Sequence, residues 1–385
     1  MPALSKLDLL VLQPTPFCNL DCRYCYLPHR SQTARMDDDT LRAVGRTIMA
    51  SPCTTADTTL LWHAGEPCVL PATWYREACL RLEEGGGRAV GRQAFQTNAT
   101  RIDDAWLDYF AQPGVSVGVS LDGPAEINDH WRVDRRGRGS FARTMQGIAA
   151  LRGAGIPFHV ICVVTAASLD HPERIAHALA ETGAHSIGLN VEEVDGIHAR
   201  SSLTRVEEAQ YQQFLCRFSE ALATHDPAPR LREADRVRSA VTAWQQGQGL
   251  RSQENTPGAI ISVGVRGDIS SFSPELLGLT SEAYDDFRFG NVHEIGELSE
   301  IFLSRAFLRC QRDISRGVAR CRKSCAYFGL CGGGSPSNKL GETGRFDATE
   351  TRHCRLSVKA TVDTLLDRLE TTSAPKMQER RHAIG

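Results

Sequence analysis

The sequence PTPFCNLDCRYCYLP, residues 14–28, follows an apolar run at Leu7–Gln13 and decides the fold. Cys18, Cys22 and Cys25 stand in it with a C-x3-C-x2-C spacing. Three thiolates on one short loop can bind a metal cluster together. Iron–sulfur cubes normally take four thiolates, so three local ones leave one iron open for a substrate. A zinc site, the alternative, would need a fourth Cys or His ligand.

Short apolar, β-branched runs alternate with longer amphipathic stretches over residues 1–200. This alternation is typical of an α/β fold with a parallel sheet. We predict six β/α units, with strands at Leu7–Gln13, Thr59–His63, Arg92–Gln96, Val115–Ser120, Pro157–Val164 and His185–Asn190. After the sixth strand, Leu203–His225 and Glu233–Gln246 have the pattern of longer helices.

The composition excludes several classes of protein. Lys plus Arg (44) nearly balances Asp plus Glu (46), so no global charge favours nucleic acid or an anionic membrane. The start has no signal-peptide pattern and no apolar run reaches membrane-spanning length, which predicts a cytoplasmic protein. Thirteen cysteines, an odd number, favour metal or cluster ligation over a disulfide framework in such a compartment.

Polar motifs fall where the predicted strands end. His63-Ala64-Gly65-Glu66 follows the second strand and Gln96-Thr97-Asn98 the third. Ser120 ends the fourth strand, with Arg132 twelve residues later, and Leu189 lies at the end of the sixth. Because parallel β/α units build active sites at the carboxyl ends of their strands, we expect these residues to face one mouth. Each motif taken alone is also compatible with an ordinary turn or cap.

Together with the cysteine loop, these motifs resemble the radical S-adenosylmethionine (SAM) superfamily. The resemblance implies a partial (β/α)6 TIM-like barrel in which Cys18, Cys22 and Cys25 hold a [4Fe–4S] cluster that cleaves SAM. It also implies that Glu66 receives the SAM amino group, although Ala64 stands where the family has its first Gly. The residues expected to contact SAM are Tyr24, His63, Ala64, Gly65, Glu66, Gln96, Asn98, Ser120, Arg132 and Leu189.

A second group of cysteines lies near the carboxyl end. Cys321, Cys325 and Cys331 run as C-x3-C-x5-C, and Cys354 follows. This resembles the SPASM extension, which usually carries two auxiliary iron–sulfur clusters. The stretch Gly267–Ser273 and Ser335 stand where further cysteines would be expected, so the four thiols predict one auxiliary [4Fe–4S] cluster, with Cys310 as a possible substitute for Cys321. A structural zinc site is the alternative.

The predicted organisation has four parts. Residues 1–200 are the radical SAM barrel core and 201–258 a helical bridge. Residues 259–358, rich in Gly, Ser and Cys, are a SPASM-like domain with short strands, and 359–385 are a C-terminal helix and flexible tail.

Within the SPASM group, the cysteine loop, the Trp62–Pro67 turn and the stretch Phe272–Gly278 look like cyclophane-forming peptide maturases of the GrrM/OscB kind. That resemblance implies a ribosomally made precursor peptide as substrate, an aromatic-to-Cβ crosslink as product, and an electron donor such as flavodoxin or ferredoxin. Glu192, Glu193 and Asp195 are candidate bases, although a solvated edge is the simpler interpretation. The alternatives are an anaerobic sulfatase maturase and a non-catalytic iron–sulfur or zinc scaffold that binds a peptide.

Overall fold

A computed structural model describes residues 5–248 and 250–368. Ten strands form one open sheet in the order β10-β9-β8-β1-β2-β3-β4-β5-β6-β7. The strands are β1 Leu7–Leu12, β2 Thr54–Trp62, β3 Arg92–Thr97, β4 Val115–Ser120, β5 Phe158–Val164, β6 Ser186–Val191, β7 Arg230–Leu231, β8 Ile260–Val263, β9 Asp268–Ser271 and β10 Gly290–Asn291.

The α/β fold with six parallel strands is confirmed. Strands β1 to β6 follow the chain in order, each paired in parallel with the next, and all six overlap the predicted runs. Helices separate them, as right-handed crossovers between parallel strands require. The sheet does not close on itself, which agrees with a partial barrel. Its strand ends therefore line an open mouth on one side.

The helices lie between and after the strands. They are α1 Asp38–Val44, α2 Ala72–Gly86, α3 Asp104–Phe110, α4 Ala125–Trp131, α5 Phe141–Gly153, α6 Pro172–Ala180, α7 Glu208–Leu222, α8 Arg232–Gln245, α9 Arg305–Ser324, α10 Phe328–Cys331 and α11 Pro336–Thr343. The predicted helix at Leu203–His225 is shorter than expected, because an extended Val206 and Glu207 separate a 3-10 turn from α7. Glu207 forms a capping box with Gln210, which satisfies the first amides of α7.

Aromatic packing holds the helices of the second and third units against the sheet. The buried rings of Trp62 and Phe95 come from β2 and β3, and Tyr75 and Trp106 from α2 and α3. Tyr75 contacts Trp62 and Phe95 edge to face, with ring centroids 5.0 and 5.2 Å apart. Such buried edge-to-face pairs add about 0.5–1.5 kcal/mol each beyond area burial. They fix the barrel wall behind the turn that follows β2.

The region after residue 258 continues the same sheet before it becomes helical. Strand β8 pairs in parallel with β1, and β9 and β10 add antiparallel strands beyond it. The expected short strands are therefore present, but the long helix α9 was not anticipated. Its buried side chains recur at helical spacing through Phe307, Cys310 and Ile314. Residues 369–385 of the predicted tail lie outside the described residues.

Within the described residues, no helix is both long enough and apolar enough to cross a membrane.

Candidate active site

The cysteine loop between β1 and α1 is held by cationic side chains. The Cys18 carbonyl accepts hydrogen bonds from Nε and Nη2 of Arg135, at 3.0 and 2.8 Å. The Cys25 carbonyl accepts one from Nη1 of Arg30 at 3.0 Å. Within the loop, the Cys25 amide donates to the Cys22 carbonyl at 3.2 Å. The backbone around the three thiols is therefore anchored by hydrogen bonds. Arg30 and Arg135, which donate these bonds, also bring positive charge next to the thiols.

The three thiols are half-buried and close enough to repel one another as thiolates. Burial raises the pKa of Cys22 to about 12, against a lowering effect of Arg132, and burial also raises the pKa of Cys18. Metal coordination supplies the positive charge that such thiols need for deprotonation. No three ligand side chains among the described residues share the position of one metal ion. A cube binds its thiolates at separate irons, so this loop fits a [4Fe–4S] cluster.

The turn after β2 packs directly on the cysteine loop. The Glu66 amide donates to the Phe17 carbonyl at 2.9 Å, and Nε2 of Gln13 donates to the Ala64 carbonyl at 3.0 Å. Gly65 has a φ of 124°, and a Cβ there would overlap the Thr15 carbonyl, so only glycine fits. This close approach brings the predicted SAM turn and the predicted cluster loop together.

The two polar side chains of this turn, Glu66 and His63, have different roles. The Glu66 carboxylate accepts hydrogen bonds from the Cys68 amide, from Oγ1 of Thr97 and from the Asn98 amide, at 2.9, 2.6 and 2.7 Å. Glu66 therefore ties the turn to the end of β3, a positioning role that the sequence did not reveal. His63 Nε2 lies 3.1 Å from the Tyr26 hydroxyl, while its buried Nδ1 has no partner among the described residues. That unpaired atom is available to a bound ligand.

The polar residues at the ends of β3 and β4 are joined by hydrogen bonds. Gln96 Nε2 donates to Oγ of Ser120 at 2.9 Å. Asn98 Nδ2 donates to Oδ1 of Asn19 at 2.9 Å and lies 3.9 Å from the Cys18 sulfur. Gln96 and Ser120 therefore form one hydrogen-bonded pair between β3 and β4, and Asn98 contacts the cysteine loop.

Asp122 and Arg132 form a buried ion pair next to the loop. Arg132 Nε and Asp122 Oδ2 are 3.0 Å apart, and Nη2 donates to Oδ1 at 3.0 Å. Asp122 also accepts hydrogen bonds from the Tyr24 hydroxyl and, at 3.0 Å, from the Val163 amide. The Arg132 guanidinium lies 5.5 Å from the centre of the Tyr24 ring. Arg132 and Tyr24, both predicted as SAM contacts, are thus held in place by one carboxylate.

Leu189 at the end of β6 is engaged through its backbone. Its amide donates to the buried Glu233 carboxylate at 3.1 Å, and its carbonyl accepts a hydrogen bond from Arg232 at 2.9 Å. Its side chain is buried, so the start of α8 fixes this rim of the mouth. Arg232 and Glu233 were not predicted, because their partner lies far away in sequence.

The four carboxyl-terminal cysteines of the predicted set are brought together. The Cys331 thiol is electrostatically coupled to Cys325 and Cys321, and Cys354 to Cys331 and Cys325. Burial raises the pKa of Cys354 to about 12. Lys339, itself buried, has its Nζ 3.5 Å from the Cys321 sulfur. Four half-buried or buried thiols from separate elements fit one four-thiolate cluster.

Cys310 does not belong to this group. It was named as a substitute for Cys321 on the assumption of a loop, but both residues lie on the continuous helix α9. Eleven residues of α-helix separate them by roughly 16 Å along its axis. Cys310 is fully buried in the apolar core beside the helix. The helical geometry therefore argues against the substitution.

Comparison with known proteins identifies the family. Residues 12–179 match the Radical SAM superfamily. The chain belongs to the radical SAM superfamily. The cofactors of this superfamily, SAM and [4Fe–4S] clusters, are those predicted from the sequence.

Two relatives of this radical SAM protein are similar to it over nearly the whole chain. An uncharacterized protein of Synechocystis sp. is 40% identical over 369 residues, 94% of this chain and 92% of its own length. A serine-type anaerobic sulfatase-maturating enzyme of Bacteroides thetaiotaomicron is 24% identical over 365 residues, 89% and 85% of the two chains.

Two solved structures share the fold. Native anSMEcpe with bound AdoMet has a TM-score of 0.75 at 20% identity, covering 95% of this chain and 99% of that one. Streptococcus suis SuiB bound to precursor peptide SuiA has a TM-score of 0.62 at 14% identity, covering 91% and 76%.

The three candidate bases of this radical SAM protein occupy different surroundings. The Glu192 carboxylate is already bonded to His198 Nε2 at 2.9 Å and to the Ser202 amide at 2.9 Å, which makes it a structural group. Burial and neighbouring carboxyls raise the pKa of Glu193 to about 8, and burial raises that of Asp195 to about 6. Of the three carboxyls, Asp195 is the one that is largely ionised at neutral pH and also has an unpaired oxygen. Its buried Oδ2 has no hydrogen-bond partner among the described residues.

Proposed function

We propose that this protein modifies a ribosomally made precursor peptide by joining an aromatic side chain to the β-carbon of a nearby residue. Membership of the radical SAM superfamily supports the radical chemistry. SuiB is bound to a precursor peptide in its structure, and anSMEcpe has been solved with a peptide. These neighbours support a peptide as the substrate class. The proposed crosslink goes further and rests on the observation that follows.

The observation that carries the crosslink is the single set of four thiols in the carboxyl-terminal region. Residues 267–273 contain no cysteine and residue 335 is Ser, so neither position supplies a thiolate. Cys321, Cys325, Cys331 and Cys354 would hold one [4Fe–4S] cluster, which supplies an electron acceptor. The SPASM group usually has two such clusters. One cluster with these substitutions resembles the cyclophane-forming maturases.

The reaction divides between the cofactors and the chain. When bound at Cys18, Cys22 and Cys25, the reduced cluster and SAM supply a 5′-deoxyadenosyl radical that abstracts a hydrogen atom. Closing the carbon–carbon bond then releases one proton and one electron from the ring. Asp195 Oδ2 is the proposed proton acceptor, because this oxygen has no hydrogen-bond partner among the described residues. The pKa of Asp195 is also raised less than that of Glu193, so its carboxyl is the more ionised of the two. The anchored loops hold the peptide and exclude water.

A second function is formylglycine formation on a sulfatase. Several relatives are anaerobic sulfatase-maturating enzymes, among them the Bacteroides enzyme that this chain matches over 85% of its length. Formylglycine formation needs a Ser or Cys in the substrate, whereas the crosslink needs an aromatic residue.

One experiment separates the two functions. The chain is coexpressed with the small peptide encoded beside its gene, and the peptide is analysed by tandem mass spectrometry. A crosslink removes two hydrogen atoms and suppresses fragmentation between the joined residues, with no reaction towards an aminooxy reagent. Formylglycine from Ser removes the same mass but reacts with that reagent and fragments normally. An unmodified peptide, with deoxyadenosine released, would contradict the crosslink.

A further inference from the structure

Lys339 is a buried cation beside the four carboxyl-terminal cysteines. Only 4% of the residue is exposed, and its Nζ lies 3.5 Å from the Cys321 sulfur. That sulfur is the one hydrogen-bond partner of the ammonium among the described residues. A buried ammonium is costly without an anion nearby, so Lys339 needs a negative charge at Cys321. A neutral thiol does not supply that charge, whereas a cluster-bound thiolate does.

A turn of three glycines carries the chain to this position. The residues of Gly332–Gly334 all have positive φ, and helix α11 follows. Asn255 Nδ2 donates to the carbonyls at both ends of this turn, at 3.0 and 3.3 Å. A Cβ on Gly333 would lie 3.1 Å from Cγ2 of Val318, so the turn packs directly on α9. Lys339 therefore reaches the end of α9 from a braced segment.

Helix α11 also joins the segments that carry two other cysteines of the group. It follows the turn after Cys331, and its Glu342 carboxylate accepts a hydrogen bond from the His353 amide at 2.8 Å, next to Cys354. Lys339 lies on the helix between these two attachments. The ammonium is therefore fixed within the cysteine group.

A second lysine near the group differs in its partner. Lys359 lies close enough to Cys354 to act on its charge, but its ammonium is ion-paired with the Glu350 carboxylate. Lys339 has no such carboxylate partner among the described residues. Its charge therefore acts on the cysteine group without a competing anion.

We propose that Lys339 is a positioning residue that raises the reduction potential of the auxiliary cluster by donating a hydrogen bond to the Cys321 thiolate. A cluster becomes more negative when it takes up an electron, so a neighbouring ammonium favours its reduced form. The oxidised cluster would then accept more readily the one electron that the ring releases, while the proton passes to Asp195. This inference rests on the auxiliary cluster of the proposed function and names a residue that adapts that cluster to its task.

The test measures the midpoint potential of the auxiliary cluster by anaerobic redox titration, followed by electron paramagnetic resonance. Cys18, Cys22 and Cys25 are changed to Ala in every sample, so that the remaining signal comes from the auxiliary cluster. In this background we expect the reduction equilibrium of Lys339→Met to be about tenfold less favourable, a fall of about 59 mV for a one-electron couple. Lys339→Arg keeps the charge and should restore most of that shift.

Lys323→Met is the matched control, because Lys323 is exposed and lies two residues from Cys321. Solvent screens its charge, so the midpoint potential should not move. Iron content and melting temperature are measured on each variant, since a merely structural lysine would change these and leave the potential alone. An unchanged midpoint in Lys339→Met, or an equal fall in Lys323→Met, would overturn the inference.

Lys339→Gln, which keeps a hydrogen-bond donor without the charge, replaces Lys339→Met if that variant loses iron. Loss of iron in both neutral variants would show that the ammonium retains the cluster instead of setting its potential, and the inference would fail. The proposed function fails separately, because it is tested by modification of the coexpressed peptide. A modified peptide together with an unchanged midpoint would overturn the role of Lys339 and leave the function intact. No cluster signal in the parent protein would overturn the auxiliary cluster itself, and this inference with it.

Discussion

Asp122 connects several residues of the candidate site. It pairs with Arg132, accepts the Tyr24 hydroxyl and accepts the Val163 amide, and it is fully buried. Tyr24 lies between Cys22 and Cys25, so this carboxylate fixes the loop on which two proposed cluster ligands stand. A residue that helps to fix the loop is therefore not itself a predicted ligand.

Asp122→Asn tests this dependence. The substitution leaves the buried Arg132 charge without its counter-charge, which typically costs about 3 kcal/mol or more. We expect a lower denaturation midpoint and fewer irons retained after anaerobic reconstitution. Asp57→Asn, which removes an exposed contact with Lys6, is the control and should change neither measurement. Wild-type iron content in Asp122→Asn would show that the loop is held by other contacts.

A substitution at Ala64 is expected to raise the stability of the protein instead of lowering it. Its φ of 67° lies in the left-handed region, which costs a non-glycine residue roughly 1–2 kcal/mol. Ala64→Gly removes that strain but adds freedom to the unfolded chain, so we expect a net gain of about 0.5 kcal/mol. A rise in the melting temperature measured anaerobically would agree with this expectation, and a fall would show that the methyl group contributes packing.

At the scale of elements, helix α9 decides which cysteines can act together. Cys310 and Cys321 share this helix but lie roughly 16 Å apart along it. We expect Cys321→Ala to lose about four of about eight irons per chain, and Cys310→Ala to keep all of them. Iron and sulfide analysis of reconstituted protein measures both. Loss of iron in Cys310→Ala, with its fold intact by circular dichroism, would return Cys310 to the ligand set.

The same elements show what the sequence could predict. Strands β1 to β6 were predictable because apolar, β-branched runs recur between helical stretches, and the polar motifs mark their ends. The positioning role of Glu66 was not predictable from the sequence, because its partners Thr97 and Asn98 lie at the end of the next strand. The sequence also carries the pattern of helix α9, since Phe307, Cys310 and Ile314 recur at helical spacing.

At the scale of the whole molecule, one continuous sheet places the carboxyl-terminal region against the barrel mouth. Strand β8 pairs in parallel with β1, and the turn after β9 returns to the cysteine loop, where a Cβ on Gly278 would lie 3.4 Å from Cγ of Pro28. Asn338, in α11, contacts Glu193, which follows β6. These contacts could not be found from the sequence, since they exist only when distant segments meet.

The burial of Glu193 makes the free energy of unfolding depend on pH in a defined direction. The pKa of Glu193 rises from 4.5 to about 8 on folding, through burial and repulsion by Asp195 and Glu254. Between these values the folded protein keeps a proton that the unfolded chain releases, so stability falls as pH rises, by at most about 1.4 kcal/mol per pH unit. The stability that the protonated Glu193 contributes is fully present below pH 4.5 and is lost above about pH 8.

Glu193→Gln removes this titration while keeping the size of the side chain. We therefore expect the melting temperature of the wild type to fall more steeply than that of Glu193→Gln between pH 5.5 and about 8. The two curves should run parallel above that range, where the wild-type carboxyl is ionised in both states. Glu282→Gln, at an exposed position, should follow the wild type throughout. Parallel curves for wild type and Glu193→Gln over the whole range would mean that Glu193 ionises at its ordinary pKa in the folded protein.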